Sequence, residues 1–124
     1  MIYGGNATVF VSDMDRALEF YTGTLGMKLM YTGGGEWASI DAGKGFVIGL
    51  HLTGEGMPKP GSRGAISIGL DAPEPLDGMV ARLTEAGVHF DCPIIDDGPV
   101  RLAPFSDPDG NELYFCEYKP QDES

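Results

Sequence analysis

One order of predicted elements occurs twice in this chain, and it limits the fold more than any other feature. The first copy begins with a strand over residues 6–11, in which apolar and polar residues alternate. A helical pattern follows, with apolar residues three and four apart, and Gly26 ends it. Three strand-like runs complete this copy, at residues 28–32, 36–41 and 45–52. The order of the first copy is therefore βαβββ.

The second copy follows the stretch 53–63, where glycines and prolines break all periodicity and indicate a linker or a mobile flap. It has a strand at 65–70, a helix whose apolar residues run from Leu76 to Leu83, and then three strands. Those three strands are expected at residues 88–91, 99–105 and 111–118. A chain of 124 residues has the usual size of one domain. We therefore predict a single domain, residues 1–124, made of module 1 (about 4–53) and module 2 (about 63–119).

Two local signals add detail to this outline. Ser12, with Asp15 three residues later, has the form of a capping box at the start of the first helix. The sequence Ser106-Asp-Pro-Asp-Gly-Asn111 predicts a tight turn, with Gly110 at positive φ, before the last strand. In that strand Leu113 and Phe115 share one face, which should be buried, and Glu112, Tyr114 and Cys116 share the other. We expect the function on the second face.

Charge and composition limit the partners. Nineteen acidic against eight basic residues give a net charge of −11, which repels nucleic acid and anionic membranes and favours a cationic ligand. No apolar run approaches the ~18 residues that span a bilayer, and no secretory signal is recognisable. Cys92 and Cys116 form no disulfide framework. We expect a cytoplasmic protein with neither nucleic-acid nor membrane partners.

Two segments join the duplicated order in resembling one family. These are Val-Ser-Asp-Met-Asp-Arg-Ala-Leu-Glu-Phe-Tyr (11–21), followed by Leu25-Gly26, and the closing Asp-Pro-Asp-Gly-Asn (107–111). Together they resemble the vicinal oxygen chelate superfamily, which includes glyoxalase I, bleomycin-resistance proteins and extradiol dioxygenases. The resemblance implies an α+β fold in which two paired βαβββ modules form a cup-shaped curled sheet with the helices outside. It also implies a ligand in the cup and a homodimer.

Alternation along the strands then assigns side chains to the two faces. The face toward the helices is entirely apolar: Val9, Val11, Ile48, Leu50, Ile66, Ile68, Leu113 and Phe115. The cup face is smaller and more polar: Asn6, Thr8, Phe10, Val47, Gly49, His51, Ala65, Ser67, Gly69, Glu112, Tyr114 and Cys116. The predicted ligand-binding residues are Asn6, Thr8, Phe10, Trp37, Gly49, His51, Ser67, Glu112, Tyr114 and Cys116.

The enzymes of this family hold a divalent metal with four His or Glu side chains. The resemblance places those four positions on Asn6, Gly49, Ala65 and Tyr114. None of these residues is a His or Glu. An amide, a bare backbone position, a methyl group and a phenol cannot together hold a hard divalent ion. We therefore predict no metal and no cofactor. The alternative is one divalent ion at a displaced site formed by His51, Glu112 and perhaps Cys116.

The favoured hypothesis is a metal-independent protein that binds a small organic molecule, such as an antibiotic or another aromatic or cationic ligand. Phe10, Trp37 and Tyr114 would offer flat faces for stacking. One alternative is a metal-dependent lyase, isomerase or dioxygenase. Another is metal-free proton transfer, with His51 beside Glu112 or Tyr114 as the acid–base pair. The last is a regulatory or scaffold module whose cup is closed.

Overall fold

The computed structural model describes residues 6–61 and 67–120 of the chain. The predictions for Ala65, for Ile66 and for the end of the tail lie outside these residues. Module 1 forms a four-stranded sheet of β1 (Asn6–Val11), β2 (Lys28–Gly33), β3 (Trp37–Asp41) and β4 (Val47–Leu52). Its strand order is β1-β4-β3-β2, with β1 parallel to β4 and the other pairs antiparallel.

Module 2 repeats this topology. Its strands are β5 (Ile68–Asp71), β6 (His89–Phe90), β7 (Ile95–Asp97), β8 (Val100–Ser106) and β9 (Glu112–Tyr118). The sheet has the order β5-β9-β8-β6, again with the first pair parallel and the β8–β9 and β8–β6 pairs antiparallel. The strand β7 pairs with β8 outside this path. The predicted α+β fold of two βαβββ modules is therefore confirmed.

The strand β7 was not predicted. It has only three residues, all exposed, and two of them are aspartates, which are uncommon in strands. Its register against β8 is set by the tight turn at Gly98, which has a φ of +62°. A segment this short and acidic carries no alternation that sequence patterns can detect.

The helices cover one face of the sheets. The first, α1 (Met14–Leu18), continues as a π-helical segment, Glu19–Thr24, and the second is α2 (Leu76–Glu85). Phe20 and Tyr21 of the π-helical segment are consecutive and both buried. No helix in the described part of the chain is long and apolar enough to cross a bilayer.

The predicted capping box is wrong. Asp13, not Ser12, caps α1, because its side chain accepts a hydrogen bond from the Arg16 backbone N–H (3.1 Å). The Ser12 backbone N–H and hydroxyl instead donate to the carboxylate of Asp109, 97 residues away in sequence. Local spacing cannot reveal a partner that only the tertiary fold supplies.

Burial confirms the predicted alternation of faces. All the described residues assigned to the helix side are buried, from Val9 to Phe115. Most of those assigned to the cup side are partly or fully exposed, while Gly49 and Cys116 are buried. One apolar core joins the two modules. The rings of Phe20 from module 1 and Phe105 from module 2, for example, lie 6.5 Å apart.

The turn at residues 107–111 holds the modules together. Asp107 is buried, and its carboxylate accepts four hydrogen bonds. One comes from the Tyr21 hydroxyl in module 1 (2.9 Å), and the other three come from the Asp109 N–H, the Asn111 N–H and the Asn111 side-chain amide. Gly110 has a φ of +84°, as predicted. The turn is therefore a structural joint as well as the start of β9.

Asn111 extends this joint to the linker. Its side-chain amide donates to the Phe10 carbonyl (3.0 Å), and its side-chain oxygen accepts from the Gly61 N–H (2.9 Å). Gly61 packs so closely that an added Cβ would lie 2.7 Å from the Asp109 carbonyl oxygen. The described part of the predicted linker is thus fastened to module 2 at Gly61.

Tyr21 makes the folded protein lose stability at alkaline pH. Burial, followed by the charge of Asp107 and the hydrogen bond to it, raises the pKa of Tyr21 well above its ordinary value. A group whose pKa is raised by folding stabilises the native state below its unfolded pKa, here about 10, and loses that contribution as the pH rises. We expect Tyr21→Phe to cost about 1 kcal/mol at pH 8 and to reduce the loss of stability above pH 10.

The measurement is the free energy of unfolding between pH 8 and 11.5. Tyr31→Phe is the matched control, because Tyr31 is 62% exposed. If both variants followed the wild-type curve above pH 10, Tyr21 would not be the titrating group.

Candidate functional site on the concave faces

The cup face of module 1 carries a row of three rings. In the sheet, Phe10 of β1 and Trp37 of β3 are both register partners of His51 in β4. The centroid distances are 5.4 Å from Phe10 to His51 and 6.1 Å from His51 to Trp37. His51 Nδ1 lies 2.8 Å from the Leu52 carbonyl oxygen, so in the neutral ring Nδ1 donates there and Nε2 remains an acceptor.

The indole of Trp37 lies close against β4 because Gly49 has no side chain. A Cβ added to Gly49 would lie only 2.2 Å from Cη2 of the indole. The indole Nε1–H donates to Ser39 Oγ (2.9 Å), which fixes the orientation of the ring. Beside it on β1, Thr8 donates to the side-chain oxygen of Asn6 (3.3 Å).

The cup face of module 2 forms a pocket of about 410 Å³. Four predicted residues line it, namely Ser67, Glu112, Tyr114 and Cys116. Its other lining residues are Val100, Leu102 and Pro104 of β8, which were not among the predicted ones. Alternation along β8 could have found them, since they are the neighbours of the buried Ala103 and Phe105 on the opposite face.

Tyr114 in module 2 is placed like Trp37 in module 1, because its ring also lies against a glycine of the neighbouring strand. Its register partner in β5 is Gly69, and a Cβ added there would lie 2.4 Å from both Cζ and the hydroxyl oxygen of Tyr114. Each concave face therefore carries an aromatic ring laid over a glycine of the neighbouring strand. Aromatic faces exposed in this way can stack against a flat ligand.

Within one chain, the pocket on the concave face of module 2 includes no residue of the module 1 aromatic row. The residues that line the module 2 pocket all come from module 2. No hydrogen bond joins His51 to Glu112 or Tyr114, although all three lie in the described part of the chain. The acid–base pair considered from the sequence is therefore not formed within one chain, because its members lie on different sheets.

The residues at the family's metal positions do not fit a divalent ion. Asn6 and Tyr114 can each offer one oxygen and Gly49 has no side chain, so these positions supply fewer side-chain donors than the four that the family's enzymes use. Across residues 6–61 and 67–120, no three His, Cys, Asp or Glu side chains come close enough to bind one. The displaced site of His51, Glu112 and Cys116 is thus not assembled within one described chain.

The protein is of the paired-βαβββ class, with one open concave face on each module. Its family follows from comparison with known proteins. The sequence profile of the Glyoxalase/Bleomycin resistance protein/Dioxygenase superfamily matches residues 5–115. The chain belongs to this superfamily. No curated protein matches it.

Several solved structures are similar over nearly the whole chain. TnmS3, an antibiotic binding protein from Streptomyces sp. CB03234, is 31% identical with a TM-score of 0.78, covering 96% of this chain and 98% of that one. A superfamily member from Sphaerobacter thermophilus DSM 20745 is also 31% identical with a TM-score of 0.78, covering 94% and 98%. A glyoxalase/bleomycin resistance protein from the same Streptomyces strain is 34% identical with a TM-score of 0.69, covering 90% and 98%.

Proposed function

We propose that this protein binds a small aromatic, cationic molecule between its concave faces and that the binding needs no metal. The observation that carries the proposal is the pair of rings, Trp37 over Gly49 and Tyr114 over Gly69. Each ring lies against a glycine of a neighbouring strand, so each offers a surface on which a flat ligand can stack. The module 2 pocket is not filled by the protein's own side chains, which argues against a closed cup.

Charge supports a cationic ligand. The net charge of −11 attracts cations over long range, and Glu112 places a carboxylate in the pocket wall. The similarity to TnmS3, described as an antibiotic binding protein, supports an antibiotic as the ligand. Sequestration in the cytoplasm is the corresponding role, consistent with the two free cysteines.

The proposed cup is completed by a second copy of the chain. Within one chain, the aromatic row of module 1 and the pocket of module 2 share no residue. In a twofold dimer, module 1 of one protomer can face module 2 of its partner, which creates two equal cups. Trp37 of one protomer and Tyr114 of the partner would then contact one ligand.

Metal-free bleomycin and daunorubicin are suitable first probes, because both are cationic aromatic antibiotics. In buffer with EDTA, a probe at 100 times its Kd should stabilise the protein by about 2.7 kcal/mol and raise the Tm by roughly 10 °C. Added Ni²⁺, Zn²⁺, Mn²⁺ or Fe²⁺ should not change this shift. A shift that appeared only with metal, or one bound metal equivalent that His51→Ala removed, would instead support a metal-dependent enzyme.

Gly69→Ala should weaken binding of the probe with little loss of stability. The new methyl group would push the Tyr114 ring away from β5 and into the pocket, which costs little because the ring is the far end of a rotatable side chain. We expect an affinity about tenfold lower and a free energy of unfolding within about 1 kcal/mol of wild type.

Gly78→Ala is the matched control for this variant. Gly78 lies in α2 with nothing within 4 Å of an added Cβ. The control should keep full affinity, measured by calorimetry, and gain up to about 1 kcal/mol of stability. Equal affinities of the two variants would refute the stacking role of Tyr114.

A further inference from the structure

A second and larger cleft, of about 950 Å³, lies between the two modules. Its walls come from residues 24–28, the β3–β4 turn, β5, α2 and Phe115 of β9. It shares no lining residue with the pocket on the concave face of module 2. Its volume lies within the range of about 300–1,000 Å³ that is usual for ligand sites.

The floor of this cleft is apolar and reaches the core. Met27 and Phe46 of module 1 face it, and so do Leu70, Met79 and Phe115 of module 2. The last three are buried members of the apolar core, and the first two pack against that core. A ligand there would therefore bury an apolar segment against both modules at once.

The rim of the cleft is basic, although the protein is strongly acidic. Within residues 6–61 and 67–120, three Lys or Arg residues line the cleft, against two Asp residues. The basic residues are Lys28, Lys44 and Arg82, and the acidic ones are Asp41 and Asp71. A rim enriched in cations favours an anionic ligand.

Two of the three other charged residues that line the cleft already have a hydrogen-bond or salt-bridge partner. Asp41 accepts a hydrogen bond from the Gly43 N–H (2.7 Å), and Arg82 pairs with Glu74 (2.6 Å). The carboxylate of Asp71 forms no ion pair with a Lys or Arg of the described residues. Within the described residues Lys28 and Lys44 have no carboxylate within 4.0 Å. These two ammonium groups are therefore available to a ligand.

The backbone at Lys44 is held in a conformation that lysine rarely adopts. Its φ is +51°, between Gly43 at +104° and Gly45 at +82°, and it is the one non-glycine residue at positive φ in the described chain. Such a conformation costs a non-glycine residue free energy, and it is found preferentially where function requires it. It places a lysine on the turn that borders the cleft.

Among the strands of the described chain, β5 pairs only with β9, and its other edge adds hydrogen-bond donors. The Ala72 N–H donates to the Cys116 carbonyl (2.8 Å), toward β9. Because successive residues of a strand direct their N–H groups to opposite edges, Gly69 and Asp71 direct theirs away from β9. Both of these residues line the cleft.

We propose that this cleft is a second ligand site, for a long-chain carboxylate. The carboxylate lies between Lys28 and Lys44, and the apolar chain lies on Met27, Phe46 and Leu70. This site is independent of the concave faces and of the function proposed for them.

The test is a fluorescence titration of the whole protein with dansylaminoundecanoic acid, followed by displacement with laurate. We expect saturable binding that laurate reverses and that dodecanol, which has the same apolar chain but no anionic group, does not. The double variant Lys28→Gln/Lys44→Gln should weaken the binding at least tenfold. The control double variant Lys59→Gln/Lys119→Gln changes the net charge equally, but its residues do not line the cleft, and it should bind as wild type does.

Tyr114→Ala distinguishes this site from the concave one and should leave the titration unchanged. The proposal is overturned if binding is not saturable, if both lysine double variants bind equally well, or if Tyr114→Ala abolishes binding. None of these results depends on whether the antibiotics bind to the concave faces.

Discussion

Asp107→Ala is expected to lower the free energy of unfolding by about 4 kcal/mol. The substitution leaves four donors in and around a buried turn without their acceptor, among them the Tyr21 hydroxyl from the other module. Burial raises the pKa of Asp107, so ionising this carboxyl group costs free energy in the folded protein. The loss therefore comes from the unsatisfied donors and the cavity, not from the removed charge.

Asp107→Asn should fall between the wild type and Asp107→Ala. Its remaining side-chain oxygen can still accept from the backbone N–H groups of Asp109 and Asn111, whereas its amide faces the Asn111 amide, which is another donor. We expect a loss of about 2 kcal/mol by urea denaturation. Asp97→Ala is the control, because Asp97 is exposed, and it should change stability by no more than about 0.5 kcal/mol. If Asp107→Ala matched this control, the turn would not join the modules.

Trp37→Ala and Tyr114→Ala should each lower the affinity for a cationic aromatic probe by about 10- to 100-fold. Each variant removes one of the two flat surfaces that the glycines allow, and a ligand held on one side only loses contact area and orientation. Calorimetry with daunorubicin in EDTA measures the change. Met57→Ala, which removes an exposed apolar residue of the linker, should bind as wild type does. Unchanged affinity in both aromatic variants would place the ligand elsewhere.

Most of the fold was predictable because strand alternation is a local property. The alternating residues of β1, β4 and β9 determine which side is buried, and the structure keeps that assignment at Val9, Leu50 and Phe115. The helix start was mispredicted because Ser12 is used by Asp109, a partner from the other module. Long-range contacts of this kind leave no pattern in the local sequence.

The sequence predicted which face of each strand carries the site residues, but not how these faces are arranged relative to each other. Alternation assigned Tyr114 and His51 to the concave side, but it contains no information on whether the two sheets face each other. The role of Gly49 was missed as well. A glycine in a strand indicates that another group packs closely against the backbone there. Only the fold shows that this group is the indole of Trp37.

The most direct test of the proposed cup is co-expression of Trp37→Ala chains with Tyr114→Ala chains. If each cup joins module 1 of one protomer to module 2 of its partner, a mixed dimer contains one cup with both rings intact and one with neither. Random assortment then gives about a quarter of all cups the wild-type pair of rings. Calorimetry with daunorubicin should find that fraction binding at wild-type affinity, although neither variant alone does so. If the co-expressed protein shows no wild-type sites, each cup is not shared between protomers and the account is wrong.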